Sequence, residues 1–188
     1  YEHTDVGDGL PADEIAASVL AGVHENIIGS IGKLVGNDKE GLLMPLVASD
    51  FTNLGMSPSF ETLTRDTYSE KRFSLAFVKK CTLDIAIALE HLHSRGIMHG
   101  DVYAHNVLSD NSGRSYLGDF GAASIYSDQK QREYIDVRGY GYLIDDLLSR
   151  CEETSAILEN LRDICLDPRP WQRPAFSDIV ASLNISHS

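Results

Sequence analysis

Ile97-Met98-His99-Gly100-Asp101-Val102-Tyr103-Ala104-His105-Asn106-Val107-Leu108 runs through the turn Asp110-Asn111-Ser112-Gly113 to Tyr116-Leu117-Gly118-Asp119-Phe120-Gly121, and this stretch decides how the chain is read. Asp101 precedes Asn106 by five positions, and short apolar runs flank the turn. Such spacing predicts a hairpin-like return. If the two runs pair antiparallel, Asn106 and Asp119 arrive at the same end of the ribbon. Two oxygen-bearing side chains there suit a hard divalent cation and leave coordination positions for phosphate oxygens. Asp101 is then placed to accept a proton from a hydroxyl. The plain alternative is a hairpin whose aspartates merely cap turns. It leaves the flanking residues unexplained, so the pattern favours phosphoryl transfer.

In this order the residues resemble the catalytic segment of the protein kinase family: His-Arg-Asp, four residues, Asn, then Asp-Phe-Gly. The resemblance implies Asp101 as catalytic base, Asn106 and Asp119 as Mg²⁺ ligands, and ATP as phosphoryl donor. It further implies that His99 and Phe120 pack between two lobes and that Leu108 forms the floor under adenine. The implied fold is α+β and mainly α: a helical C-lobe with a partial N-lobe made of the C helix and two strands.

Composition sets wider limits. At 188 residues, 43% hydrophobic and 23% charged, the chain suits one globular domain. Its formal charge of -12 argues against a general nucleic-acid or anionic-membrane surface, and means that bound nucleotide needs Mg²⁺ and locally placed cations. Cys81, Cys151 and Cys165 lack metal-like spacing, and the first and last read as reduced core residues. No apolar run reaches membrane-spanning length, and no signal peptide opens the chain, so a cytoplasmic location is the default expectation.

Upstream, Pro11-Ala12-Asp13-Glu14 starts a helix that runs through Ile15, Val19 and Leu20 to about Gly22. His24-Glu25-Asn26-Ile27-Ile28 follows and resembles the His-Pro-Asn-Ile sequence after the kinase C helix. Glu14 then takes about the place of the glutamate that pairs with the nucleotide-binding lysine; locally it is also an ordinary first-turn acid. Ser30–Val35 and Gly41–Val47 read as strands joined by a turn over 36–40. Met44-Pro45-Leu46-Val47 falls where kinases carry the hinge, so backbone groups near Leu46 are candidate adenine contacts. Residues 48–73 show few periodic cues and carry no assigned chemistry. Leu75, Val78, Cys81, Ile85, Leu89 and Leu92 recur at helical spacing within 73–95, ended by Gly96; His91 and His93 read as ordinary helix residues.

Beyond Gly121, Asp136-Val137-Arg138-Gly139-Tyr140-Gly141 opens another helix and resembles the kinase F helix. That resemblance makes Asp136 a structural acceptor of catalytic-loop hydrogen bonds, with a simple N-cap as the local alternative. A helix over about 154–166, the Asp167-Pro168…Arg173-Pro174-Ala175-Phe176 signature and a last helix over 177–183 complete one kinase-like domain, 1–188. Residues 1–47 form the partial N-lobe and hinge, and 48–188 the C-lobe.

Several features depart from the family pattern. Neither a Gly-rich loop nor a Val-Ala-x-Lys strand occurs ahead of Pro11, and the chain does not begin with Met. The expectation is an excerpt whose missing strands lie just before Tyr1, supplied by a larger polypeptide or a partner. Gly100 replaces the Arg of His-Arg-Asp, so activation-loop phosphorylation should not be needed. Only Ala122 to Ile135 separate Gly121 from Asp136, and without an Ala-Pro-Glu motif Arg173 lacks its usual glutamate. Tyr103 stands where Ser/Thr-type kinases have lysine. The first reading is therefore an ATP/Mg²⁺-dependent kinase acting on a hydroxyl, most simply one of a protein. A pseudokinase or interaction module is the second, and an aminoglycoside-type small-molecule kinase the third.

Overall fold

Helix α1 (Pro11–Ala21) turns a narrow face inward in the computed structural model, which describes residues 11–36, 39–57, 68 and 70–185. Ala17, Ser18 and Ala21 are buried at helical spacing, whereas Val19 and Leu20 are 52% and 43% exposed. Small side chains win because they let the helix approach its neighbours closely. Glu14, partly buried, shares the stripe of Ala17 and Ala21. Residues 1–10, the start of the expected partial N-lobe, and the turn residues 37–38 lie outside the described residues.

Strands β1 (Gly32–Gly36) and β2 (Lys39–Leu43) pair antiparallel, Gly32 opposite Leu43 and Gly36 opposite Lys39. Pairing thus takes in Lys39 and Glu40, expected in the turn, and stops before Met44. Pro45 has no N–H to give a ladder, which accounts for the early end. The next segment holds a strand that no periodicity announced, β3 (Thr52–Asn53). Two residues are too few to show a period. Phe51 and Leu54 beside it are buried.

Helix α2 (Leu75–Ser94) begins at Ser74, whose Oγ accepts the Phe77 N–H at 3.2 Å. Its buried stripe, Val78, Cys81, Ile85, Leu89 and Leu92, is the periodic set read in the sequence. Gly96, at φ +67°, ends it in the left-handed region, where an added Cβ would lie 2.7 Å from the Tyr126 carbonyl oxygen. Strand β4 (Ile97–Met98) follows, then a 3₁₀ turn over Ala104–Asn106, β5 (Val107–Ser109) and β6 (Ser115–Leu117). β3, β5 and β6 form one antiparallel sheet with β5 in the middle; β4 pairs antiparallel with β7 (Ser124–Ile125).

After a 3₁₀ turn at Lys130–Arg132 come α3 (Glu133–Ser149), α4 (Ala156–Cys165) and α5 (Phe176–Ile185). α3 packs on α2 and α4, and α5 on α2. Tyr140, Leu143, Ile144, Leu147, Leu158, Phe176 and Ile179 fill the space between them. Each buried Leu or Ile of this kind contributes roughly 1.5–3 kcal/mol. The Tyr140 hydroxyl is satisfied by the Thr82 carbonyl at 2.9 Å, and Asp84 ties α2 to β6 by accepting the Ser115 N–H at 3.0 Å. Cys81 and Cys165 are buried free thiols; burial pushes both up to about 12, which keeps them protonated. The fold is mainly α with few strands, a helical C-lobe carrying part of an N-lobe. Among the described residues no helix is long and apolar enough to cross a membrane.

Candidate phosphotransfer site

The β5–β6 ribbon brings Asn106 and Asp119 to one end. Val107 stands opposite Leu117, and the Gly118 N–H donates to the Asn106 carbonyl at 2.9 Å. Asp119 follows immediately at φ +56°, in the left-handed region. Aspartate tolerates that region better than most residues, and here its Oδ1 accepts the Gly121 N–H at 3.0 Å. The 3₁₀ turn swings Asn106 back, so that its Nδ2 donates to the Asp101 carbonyl at 2.9 Å and to Asp101 Oδ2 at 3.0 Å. Asn106 is buried while Asp101 and Asp119 are exposed. The three residues read from the sequence therefore share one end of the ribbon.

His99 holds the two loops together. It is fully buried; Nε2 donates to the Gly118 carbonyl at 2.9 Å, and Nδ1 accepts the Asp101 N–H at 3.3 Å. Those two partners define a neutral ring protonated at Nε2. Phe120 lies against it, ring centres 5.6 Å apart. Leu108 is the central residue of β5, partly exposed, opposite Tyr116 and Asn53. Leu46 is fully exposed in the extended chain after β2, and Glu14 lies on α1; neither belongs to the ribbon.

Asp136 supports the loop from beneath. Its side chain accepts the His99 and Gly100 N–H groups, each at 2.8 Å, and His93 Nε2 at 2.8 Å. A buried carboxylate is tolerated only with partners of this kind. The N-cap alternative fails, because α3 begins at Glu133 and Asp136 lies within its first turn. His93 was read as an ordinary helix residue, yet its side chain is only 7% exposed. The signal was present: His93 stands four residues after Leu89, on the apolar stripe. His91 likewise has a role, with Nε2 2.8 Å from the Ala21 carbonyl at the end of α1.

Two further attachments were not visible in the sequence. Asn26–Ile28 docks on β6, Leu117 N–H to Asn26 carbonyl and Ile28 N–H to Leu117 carbonyl, both 2.8 Å. β3 and the residues after it reach the 3₁₀ turn, where Asn53 Nδ2 donates to the His105 carbonyl at 2.6 Å and Gly55 N–H to the Ala104 carbonyl at 3.0 Å. Gly100 stands at φ +83°, and a Cβ there would lie 2.6 Å from the Ala122 carbonyl oxygen. The chain after Asp119-Phe120-Gly121 thus runs directly over the position where the family has Arg. Arg173, without its glutamate, donates to the carbonyls of Tyr134 at 2.8 Å and Asp167 at 3.0 Å.

Fold and site together define a kinase-type catalytic domain. The profile of the protein kinase domain family matches residues 11–156, and the chain belongs to that family. It is similar to cyclin-dependent kinase 11.1 of Caenorhabditis elegans, 30% identical over 115 residues, which covers 61% of this chain and 15% of that protein. It is also similar to ribosomal protein S6 kinase alpha-6 of Danio rerio and alpha-3 of Homo sapiens, each 31% identical over 87 residues, or 46% of this chain and 12% of theirs. The chain spans only a small part of these relatives' length.

Proposed function

We propose that this chain is the catalytic portion of an ATP- and Mg²⁺-dependent protein kinase that moves the γ-phosphoryl group to a hydroxyl, most simply on a protein. One observation supports the reading: Asn106 bonds Asp101 at 3.0 Å and its carbonyl accepts the Gly118 N–H at 2.9 Å, one residue before Asp119. In this reading the acceptor oxygen bonds to Pγ as the bond from Pγ to the β,γ-bridging oxygen breaks. Asp101 orients the hydroxyl and takes its proton, and ADP leaves.

The donor set suits Mg²⁺. Asn106 commits Nδ2 to Asp101, which leaves Oδ1 for a cation, and Asp119 presents an exposed carboxylate. Among the described residues no group of three or more His, Cys, Asp or Glu is placed to hold a metal. Mg²⁺ is commonly held by one or two protein oxygens together with substrate phosphates and water. When bound, Mg²⁺ neutralises phosphate charge, which a chain of net charge -12 otherwise repels. Leu108 would lie under adenine, backbone groups near Leu46 would meet its edge, and Glu14 would pair with a lysine. The Gly-rich loop and that lysine would come from further polypeptide or a partner.

Asp101→Asn is expected to lower phosphoryl transfer by on the order of 10²-fold or more while leaving Mg²⁺–ATP binding, read by titration, intact. Full activity in that variant would remove Asp101 from the mechanism. The small-molecule alternative is favoured by Gly100 and the short segment across it. Protein mixtures offered against small alcohols and aminoglycosides decide between the two, and nucleotide binding without transfer to either would leave the pseudokinase.

A further inference from the structure

The segment between Gly121 and Asp136 does more than connect. Ser124 and Ile125 pair with Met98 and Ile97, just ahead of His99. The Tyr126 N–H donates to the Gly96 carbonyl at 2.8 Å, and the buried Tyr126 hydroxyl donates to Glu133 Oε1 at 2.6 Å. Burial foremost, then the Glu133 carboxylate, raise the Tyr126 hydroxyl above its ordinary range, so it remains a donor. The other Glu133 oxygen lies 3.8 Å from His93 Nδ1. Among the described residues that buried nitrogen has no hydrogen-bond partner. His93 Nε2 meets Asp136, and the Phe176 ring closes over the imidazole edge-on, centres 5.1 Å apart. Tyr126, Glu133, His93 and Asp136 therefore lie side by side, buried or partly buried, from the segment to the His99 and Gly100 amides, with the Glu133–His93 step an approach of 3.8 Å rather than a hydrogen bond.

We propose that Tyr126 and Glu133 are positioning residues, which act through His93 on Asp136 and so hold the backbone that carries Asp101. This rests on the phosphotransfer reading for its effect on rate, but the clamp itself can be read separately. A family member with Arg at position 100 has a charged side chain on this surface. Here Gly100 lies under the Ala122 carbonyl, and the tie passes behind the loop instead. An oriented carboxylate needs its accepting oxygens fixed; His93 supplies one of the three bonds to Asp136, and that bond loosens once the imidazole loses its outer wall.

The test combines amide hydrogen exchange with kinetics on the full chain and on Tyr126→Phe, Glu133→Ala and Glu133→Gln. In Tyr126→Phe and Glu133→Ala, protection of the His99 and Gly100 amides is expected to fall by roughly tenfold, the effect of about one hydrogen bond. Protection in α2 and α5 should hold. kcat should fall with KM for ATP unchanged, and Glu133→Gln, which can still accept from Tyr126, should restore both readouts. Unchanged His99 and Gly100 exchange in both weakening variants overturns the clamp. So does a uniform rise across the molecule, or a Gln variant as impaired as Ala. A wild-type protein that shows no turnover even with the Gly-rich loop and lysine supplied, yet still shows the amide pattern, keeps the clamp and overturns the kinase reading instead.

Discussion

Gly100 shows how a single residue can be dictated by backbone rather than by chemistry. Its φ of +83° and the Ala122 oxygen 2.6 Å from a prospective Cβ exclude any side chain without movement of the following segment. Gly100→Ala should lower unfolding free energy by about 1–3 kcal/mol in urea titration. Gly100→Arg should destabilise further, without creating a phosphate-responsive kinase. Asp119 tolerates its own left-handed backbone, so Asp119→Asn should fold normally and weaken Mg²⁺–ATP binding by titration. Asp110 presents the opposite case, a charge spent on structure. Burial opposes its ionisation, but bonds from Ser112 and Arg114 outweigh this and bring the carboxyl from 3.8 to about 2. The folded value lies below the unfolded one, so its contribution is present above about pH 3.8 and lost as pH falls through 2. Asp110→Asn should be less stable than wild type at neutral pH, with the gap closing over that acid window in pH-dependent melting. The placing of Asp101, Asn106 and Asp119 at one end of the ribbon was legible because it follows from local spacing and turn chemistry. His93 was not, since a helical histidine shows its partner only when a distant helix arrives.

At the scale of elements, the ends of α1 and α2 meet at a histidine pair. His24 and His91 rings are 4.3 Å apart, and both His91 and Arg95 reach the Ala21 carbonyl. The His24 Nδ1 accepts the Asn26 N–H at 3.1 Å, which requires an unprotonated nitrogen. Burial first, then His91 and Arg95, lower its proton affinity below the usual 6.5, with Glu25 opposing. Protons then bind the unfolded chain more readily, so stability should decline as pH drops below about 6.5. Thermal melts from neutral to mildly acid pH should show that slope, and His24→Phe should remove its share. Helix α2 was legible from its period because one broad face is buried. The inward face of α1 was not legible, because closeness rather than side-chain size selects it. β3 was invisible because its two residues are a strand only by pairing with β5.

Across the whole molecule, cohesion is uneven. α2, α3, α4 and α5 share one apolar cluster, whereas β1 and β2 form a two-stranded sheet with Leu34 and Leu43 about half exposed. A two-stranded ribbon has little independent stability. Hydrogen exchange should therefore be slowest in α2 and α3 and fastest in β1 and β2, and equal protection throughout would contradict this distribution.

The amino-acid sequence alone determined the family, the helical C-lobe, the hairpin return and the three residues at its end. These follow from local spacing, turn chemistry and side-chain type. Only the tertiary structure decided that His93 stands between Glu133 and Asp136, that Ala122 closes over Gly100, and that Asn26–Ile28 and β3 brace the ribbon. Each of these is a contact between segments far apart in the chain or a backbone approach, and neither leaves a periodic trace in residue order.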